Sequence, residues 1–165
     1  MIWIDGVPMD VQDDLGNLVG EASAVTADGS HVVGSSYFIS LEENGAWRWS
    51  ASEGVQLVPG MPFAFGVSGD GNTVVGSTGF FDDPPRAPMV WRKGIGTVTL
   101  ADFLAEQQIT IPAGWDMSGG LTGISADGNV MVGWAFGPNG MQSYVIRLEP
   151  EVDDVIFADG FDVAD

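Results

Sequence analysis

Five basic side chains stand against 23 acidic ones, and three of the five recur in one setting. Arg48, Arg92 and Arg147 follow the Asp28-Gly29, Asp70-Gly71 and Asp127-Gly128 pairs, with 20, 22 and 20 residues from each Asp to its Arg. A guanidinium group presents a planar fork of donors that matches a carboxylate. Three of them around a common axis could therefore bind a carboxylated glycan. The same regularity also fits one structural Arg per unit, pairing with the hairpin Asp of its own or the next unit. Active sites break the symmetry of a repeat, so the structural role is the expected one. Asp28, Asp70 and Asp127 are read likewise, as turn formers first and ligands second.

The remaining titratable residues offer less. His31 is the sole histidine and has no nucleophile pattern near it, so an exposed strand residue is expected rather than a base. Glu42-Glu43 and Asp82-Asp83 could in principle supply a glycosidase-type acid/base pair, but their Asn44-Gly45 and Pro84-Pro85 neighbours read as solvated turns. Asp13-Asp14 and Asp153-Asp154 lack the alternating acid spacing that wraps a calcium ion. No nucleophile-elbow, zinc-protease or phosphate-loop motif occurs. The expectation is no catalytic residue, no metal and no cofactor.

The formal net charge of -18 repels a phosphate backbone and an anionic lipid surface, so nucleic-acid binding is not expected. The absence of cysteine removes disulfides and thiolate metal sites and leaves the redox compartment unreadable. No apolar run approaches the ~20 residues that span a bilayer, so no membrane insertion is expected. Met1-Ile2-Trp3-Ile4-Asp5-Gly6 lacks the features of a secretion signal.

The elements that must position these residues come from a repeat. Ala24–Ser35, Gly66–Ser77 and Gly123–Trp134 align without gaps as small, β-branched, Ser/Thr, small, Asp, Gly, Ser/Asn, any, apolar, Val (Met in part of the third), Gly. β-Branched residues favour a strand, Asp-Gly reverses it with positive φ at the glycine, and the Val-Val run restarts it. The closing Gly34, Gly76 and Gly133 suggest a bulge or a close backbone approach. Third strands are read at Ala46–Trp49, Met89–Arg92 and Tyr144–Arg147, and fourth strands at Gly54–Val58 and Gly96–Leu100.

Each unit is thus four short antiparallel strands. Asp28 and Asp70 are 42 residues apart, the length of a four-stranded propeller blade. Asp70 and Asp127 are 57 apart, so an insertion is expected, with one short helix near 101–109. Residues 1–6 overlay 89–94, which opens the chain at a third strand. The strand count is two, four, four and three. The fold class predicted is all-β, a propeller-like arc of about three blades plus a partial one over residues 1–148, followed by an acidic tail over 149–165. Trp3, Trp47, Trp49, Trp91, Val33, Val75 and Val132 are the core candidates. In the tail, Ile156, Phe157 and Phe161 form an apolar island that could dock on the last unit.

The hairpin and the Arg-Trp strand together make the sequence resemble the HAF-repeat family of bacterial extracellular repeat proteins, over roughly residues 1–148. The resemblance implies a propeller-like, exported protein without an assigned enzymatic activity. It departs from the family in its low number of repeats. The function expected is a non-catalytic extracellular binding or structural module with an unknown protein or glycan partner. A polysaccharide-directed hydrolase with loop carboxylates is the alternative. An open arc exposes sheet edges and apolar faces, so either a longer propeller or self-association to close the ring is expected.

Overall fold

The computed structural model describes residues 2–4, 6–12, 16, 19–36, 45–79, 86–148 and 155–156. Its strands form one two-stranded and three four-stranded antiparallel sheets. The two-stranded sheet pairs β1 (Ile2–Ile4) with β2 (Val7–Met9). The first unit is β3 (Glu21–Val25), β4 (His31–Ser36), β5 (Gly45–Ser50) and β6 (Gly54–Val58). The second is β7 (Phe63–Val67), β8 (Thr73–Ser77), β9 (Pro88–Arg92) and β10 (Gly96–Thr99). After helix α1 (Leu100–Glu106) comes the third, β11 (Asp116–Ile124), β12 (Val130–Gly137), β13 (Gly140–Arg147) and β14 (Val155–Ile156). Within each sheet the strands run in sequence order, and the sheets do not close into a ring.

Pleating divides each sheet into a face toward the preceding unit and a face toward the following one. Val74, Ala64, Val67, Met89 and Trp91 of the second unit pack against Val33, Ala46 and Val58 of the first. Leu121, Met131, Ala135, Tyr144 and Ile146 of the third unit pack against Val75 and Val90 of the second. Val33 and Val75 are fully buried in these seams. A smaller cluster of Val11, Trp47 and Val55 covers the front of the first unit.

Each hairpin is fixed by the same small network. Thr26 Oγ1 donates to Asp28 Oδ1 at 2.7 Å, the Ser30 N–H donates to that oxygen at 2.9 Å, and the His31 N–H donates to Thr26 Oγ1 at 3.0 Å. Ser68, Asp70, Asn72 and Thr73 repeat it, as do Ser125, Asp127, Asn129 and Val130. Gly29, Gly71 and Gly128 take φ of 73°, 69° and 78°, which a side chain would strain.

The closing glycines are set by close approach. A Cβ on Gly34, Gly76 or Gly133 would lie 1.9, 1.8 or 2.1 Å from a carbonyl oxygen of the neighbouring strand, that of Glu21, Phe63 or Gly120. A β-bulge in β3, β7 and β11 lies beside each glycine.

Four expectations need correction. Trp3 is 67 % exposed, because β1 and β2 form only a two-stranded sheet and leave the indole uncovered. Val132 is 40 % exposed although its counterparts Val33 and Val75 are buried, because no sheet packs on its face among the described residues. Trp49 is only half-buried. The last unit has four strands, because Val155–Ile156, inside the segment read as a tail, pairs with β13 at Ile146 and Val145. The helix begins at Leu100 behind a Thr99 cap and ends at Glu106, before Ile109.

Candidate functional site

The three arginines do not share one position. In the strand register Arg92 lies opposite Thr73 and Arg147 opposite Val130, which are equivalent hairpin positions. Ser50 fills that place in the first unit, opposite His31, and Arg48 lies two residues earlier, opposite Val33. The single-slot expectation is therefore corrected for Arg48. The linker between β4 and β5 differs in length from its counterparts, so equal spacing from the Asp does not give equal register.

Nor do the arginines pair with the hairpin aspartates. Arg48 is 4 % exposed, pairs with Glu53 and holds its guanidinium carbon 5.6 Å from the Trp91 ring centroid across the seam. Lys93 of the second unit reaches the same Glu53 at 2.7 Å. These hydrogen bonds, Lys93 first and Arg48 second, hold the Glu53 carboxyl below the ordinary range. Arg92 pairs with Glu106 on α1 and lies 5.0 Å from the Phe103 ring centroid. Arg147 is exposed and has no ion pair among the described residues.

The hairpin carboxylates are occupied by their own turns. The Thr26 hydroxyl, followed by the Ser30 N–H and hydroxyl, depresses Asp28 well below the usual range. Ser68 and the Asn72 N–H lower Asp70, and Ser125 and the Asn129 N–H lower Asp127. The fixed donors favour the charged form. The adjacent hairpins touch, with the Gly69 N–H donating to the Ala126 carbonyl at 2.8 Å. His31 is half-buried, not exposed as expected. Its ring covers the second unit's hairpin, where a Cβ on Gly71 would fall 2.2 Å from Cδ2.

The symmetry of the repeat breaks at one end of the seam between the second and third units. There a shallow cleft of about 230 Å³, open to solvent, is lined by Phe65, Ser77, Arg86, Gly120, Thr122 and Trp134, with Gly79 and Gly119 beside them. The Arg86 guanidinium carbon lies 4.9 Å from the Trp134 ring centroid, within cation–π range. Trp134 packs edge-to-face with Phe136 at 5.8 Å. Gly120 is bare because a Cβ there would meet Trp134 Nε1 at 2.6 Å. No carboxylate lines this cleft. Sequence reasoning missed it, although one signal was available. Trp134 stands where the other two hairpins carry Ser35 and Ser77.

Glu42-Glu43, Asp82-Asp83, Asp13-Asp14 and Asp153-Asp154 lie outside the described residues. Among the described residues, no three His, Asp or Glu side chains are grouped so as to hold a metal ion. No described helix is long and apolar enough to cross a membrane. The insertion expected to present a binding surface instead packs inward, with Phe103 and Leu104 buried in the seam.

No protein-family model and no curated protein matches the chain. Among solved structures, the fold is similar to one assigned to TolB from Agrobacterium tumefaciens, with a TM-score of 0.53 at 15% identity. That match covers 86% of this chain and 47% of the other. TolB from Acinetobacter baumannii is similar with a TM-score of 0.50 at 10% identity, over 79% of this chain and 30% of that one. The likeness establishes a propeller-type arrangement of four-stranded sheets. The chain spans about half the length of the first of these proteins.

Proposed function

We propose that the chain is a non-catalytic binding module of the HAF-repeat type, working outside the bacterial cytoplasm. The observation that carries this reading is the division of labour among the polar residues. The repeated Asp residues are committed to hairpins, and Arg48 and Arg92 are committed to ion pairs. The cleft that breaks the repeat carries an arginine, an indole and hydroxyls but no acid/base carboxylate. Such a cleft can stack a flat apolar surface on Trp134 and hydrogen-bond a polar group through Arg86, Ser77 or Thr122. That chemistry suits a glycan or an extended peptide segment. Export agrees with the family resemblance, and with TolB-like architecture only at the level of fold.

The test is a glycan array and a peptide-library pull-down, each run with the wild-type chain and with Trp134→Ala. Binding that Trp134→Ala weakens at least ~10-fold, about 1.4 kcal/mol, is the expected result. Empty screens would reject a binding role and leave a structural one. Turnover of a polysaccharide by the wild-type chain would establish the hydrolase alternative.

A further inference from the structure

The third unit presents a complete face that its two predecessors keep buried. Strand register places Val130, Val132, Phe136, Met141, Val145 and Arg147 on one side of this sheet. Val132 occupies the position of Val33 and Val75, each 0 % exposed, yet is itself 40 % exposed. Phe136 and Met141 are 42 % and 70 % exposed beside it. Arg147 is exposed, whereas its register counterpart Arg92 is paired with Glu106 and lies over Phe103.

We infer that this face is the docking site for a second copy of the same chain, added head to tail as the next unit of the propeller. Three observations choose that occupant. Both equivalent faces within the chain are covered by another repeat unit, so the chemistry that fits is already present twice. The opposite end of the arc leaves Trp3, Val7 and Met9 exposed, at 67 %, 64 % and 42 %, with the exposed Asp10 next in sequence. A strongly acidic chain of net charge -18 also supplies a carboxylate for Arg147, as Glu106 does for Arg92. Two copies bring six four-stranded sheets and two two-stranded ones, within the 4–8 blades of closed propellers. A head-to-tail contact whose rotation closes makes a ring. The inference rests on the fold alone and is independent of what the cleft at Trp134 binds.

The test is light scattering behind size exclusion at about 100 µM protein, well above a micromolar Kd. It is run on the wild-type chain, Val132→Asp and Met141→Glu, with circular dichroism to confirm folding. Met141 is 70 % exposed, so its substitution leaves the core intact even where Val132→Asp perturbs it. Expected is a wild-type dimer whose Kd rises at least ~10-fold in each variant. Because the chain has no cysteine, Trp3→Cys and Met141→Cys chains joined by a short bismaleimide should cross-link when mixed and not separately. A wild-type monomer would overturn the inference and assign the face to further repeat units of a longer polypeptide or to the chain's own residues 157–165. A dimer indifferent to both substitutions, or cross-linking of Met141→Cys chains with each other alone, would also overturn it.

Discussion

Arg48 of the first unit lies flat enough against Trp91 of the second to bring its guanidinium carbon within 5.6 Å of the ring centroid, and the two define how neighbouring sheets are joined. Glu53 sits beside them, bonded to Arg48 in its own unit and to Lys93 in the next. One carboxylate therefore fastens both sides of the seam, over an apolar layer built from Val33, Val74 and Trp91.

Glu53→Gln removes the countercharge of a buried guanidinium. Glu53 is itself 36 % exposed on its side chain, so solvent moderates the penalty, and a loss of about 1–2 kcal/mol is expected. Arg48→Met keeps much of the packing on Trp91 and removes the buried charge, so its loss should be smaller. Urea denaturation of the two variants measures the difference.

The closing glycines should tolerate no side chain. Gly76→Ala places a methyl group 1.8 Å from the Phe63 carbonyl oxygen, a backbone atom that cannot rotate away. A loss of roughly 3 kcal/mol or more is expected. Gly94→Ala is the control: its φ is +79° but nothing lies within 4 Å of the new Cβ, so only backbone strain of about 1–2 kcal/mol applies. Thermal melts of the two variants separate the effects.

Acid should act on the hairpins. Asp28, Asp70 and Asp127 all have folded pKa values below their ordinary 3.8. A depressed carboxylate contributes stability that is fully present above its unfolded pKa and lost as pH falls through the folded one. The loss therefore belongs below about pH 4. Between about pH 6 and pH 4 the opposite trend is expected, as protonation of other acids relieves the repulsion of 23 carboxylates. Urea midpoints measured from pH 7 to pH 2 should pass through a maximum, and Asp70→Asn should shallow the acid limb.

Tyr144 crosses the third sheet to donate its hydroxyl to the Gly120 carbonyl at 3.0 Å. Burial pushes its phenol well above the ordinary range, so ultraviolet titration should show it ionising only with unfolding. Tyr144→Phe, which leaves that carbonyl without its side-chain donor, should cost about 1 kcal/mol by denaturation.

The Asp-Gly hairpins were legible in the sequence because each is a local device. Ser68, Asp70, Gly71 and Asn72 make their contacts within five residues, so the pattern carries the structure with it. The partners of Arg48 and Arg92 were not legible. They depend on register, which the β4–β5 linker alters, and on α1, which brings Glu106 to Arg92. Exposure of Val132 was hidden for a different reason. Its sequence matches that of Val33 and Val75, and only the absence of a covering sheet distinguishes it. The cleft was missed because Trp134 and Arg86 are 48 residues apart and meet only through stacking of the second and third units.

Amide hydrogen exchange, followed by mass spectrometry on the intact chain, tests the stacked-sheet account most directly. Strands β8 and β9 lie in a unit covered on both faces, and their amides should be the slowest to exchange. Those of β4, β5 and β12 should follow, with the two-stranded β1–β2 sheet exchanging first. Exchange of β8 and β9 as rapid as that of β1 and β2 would contradict the arc of packed units.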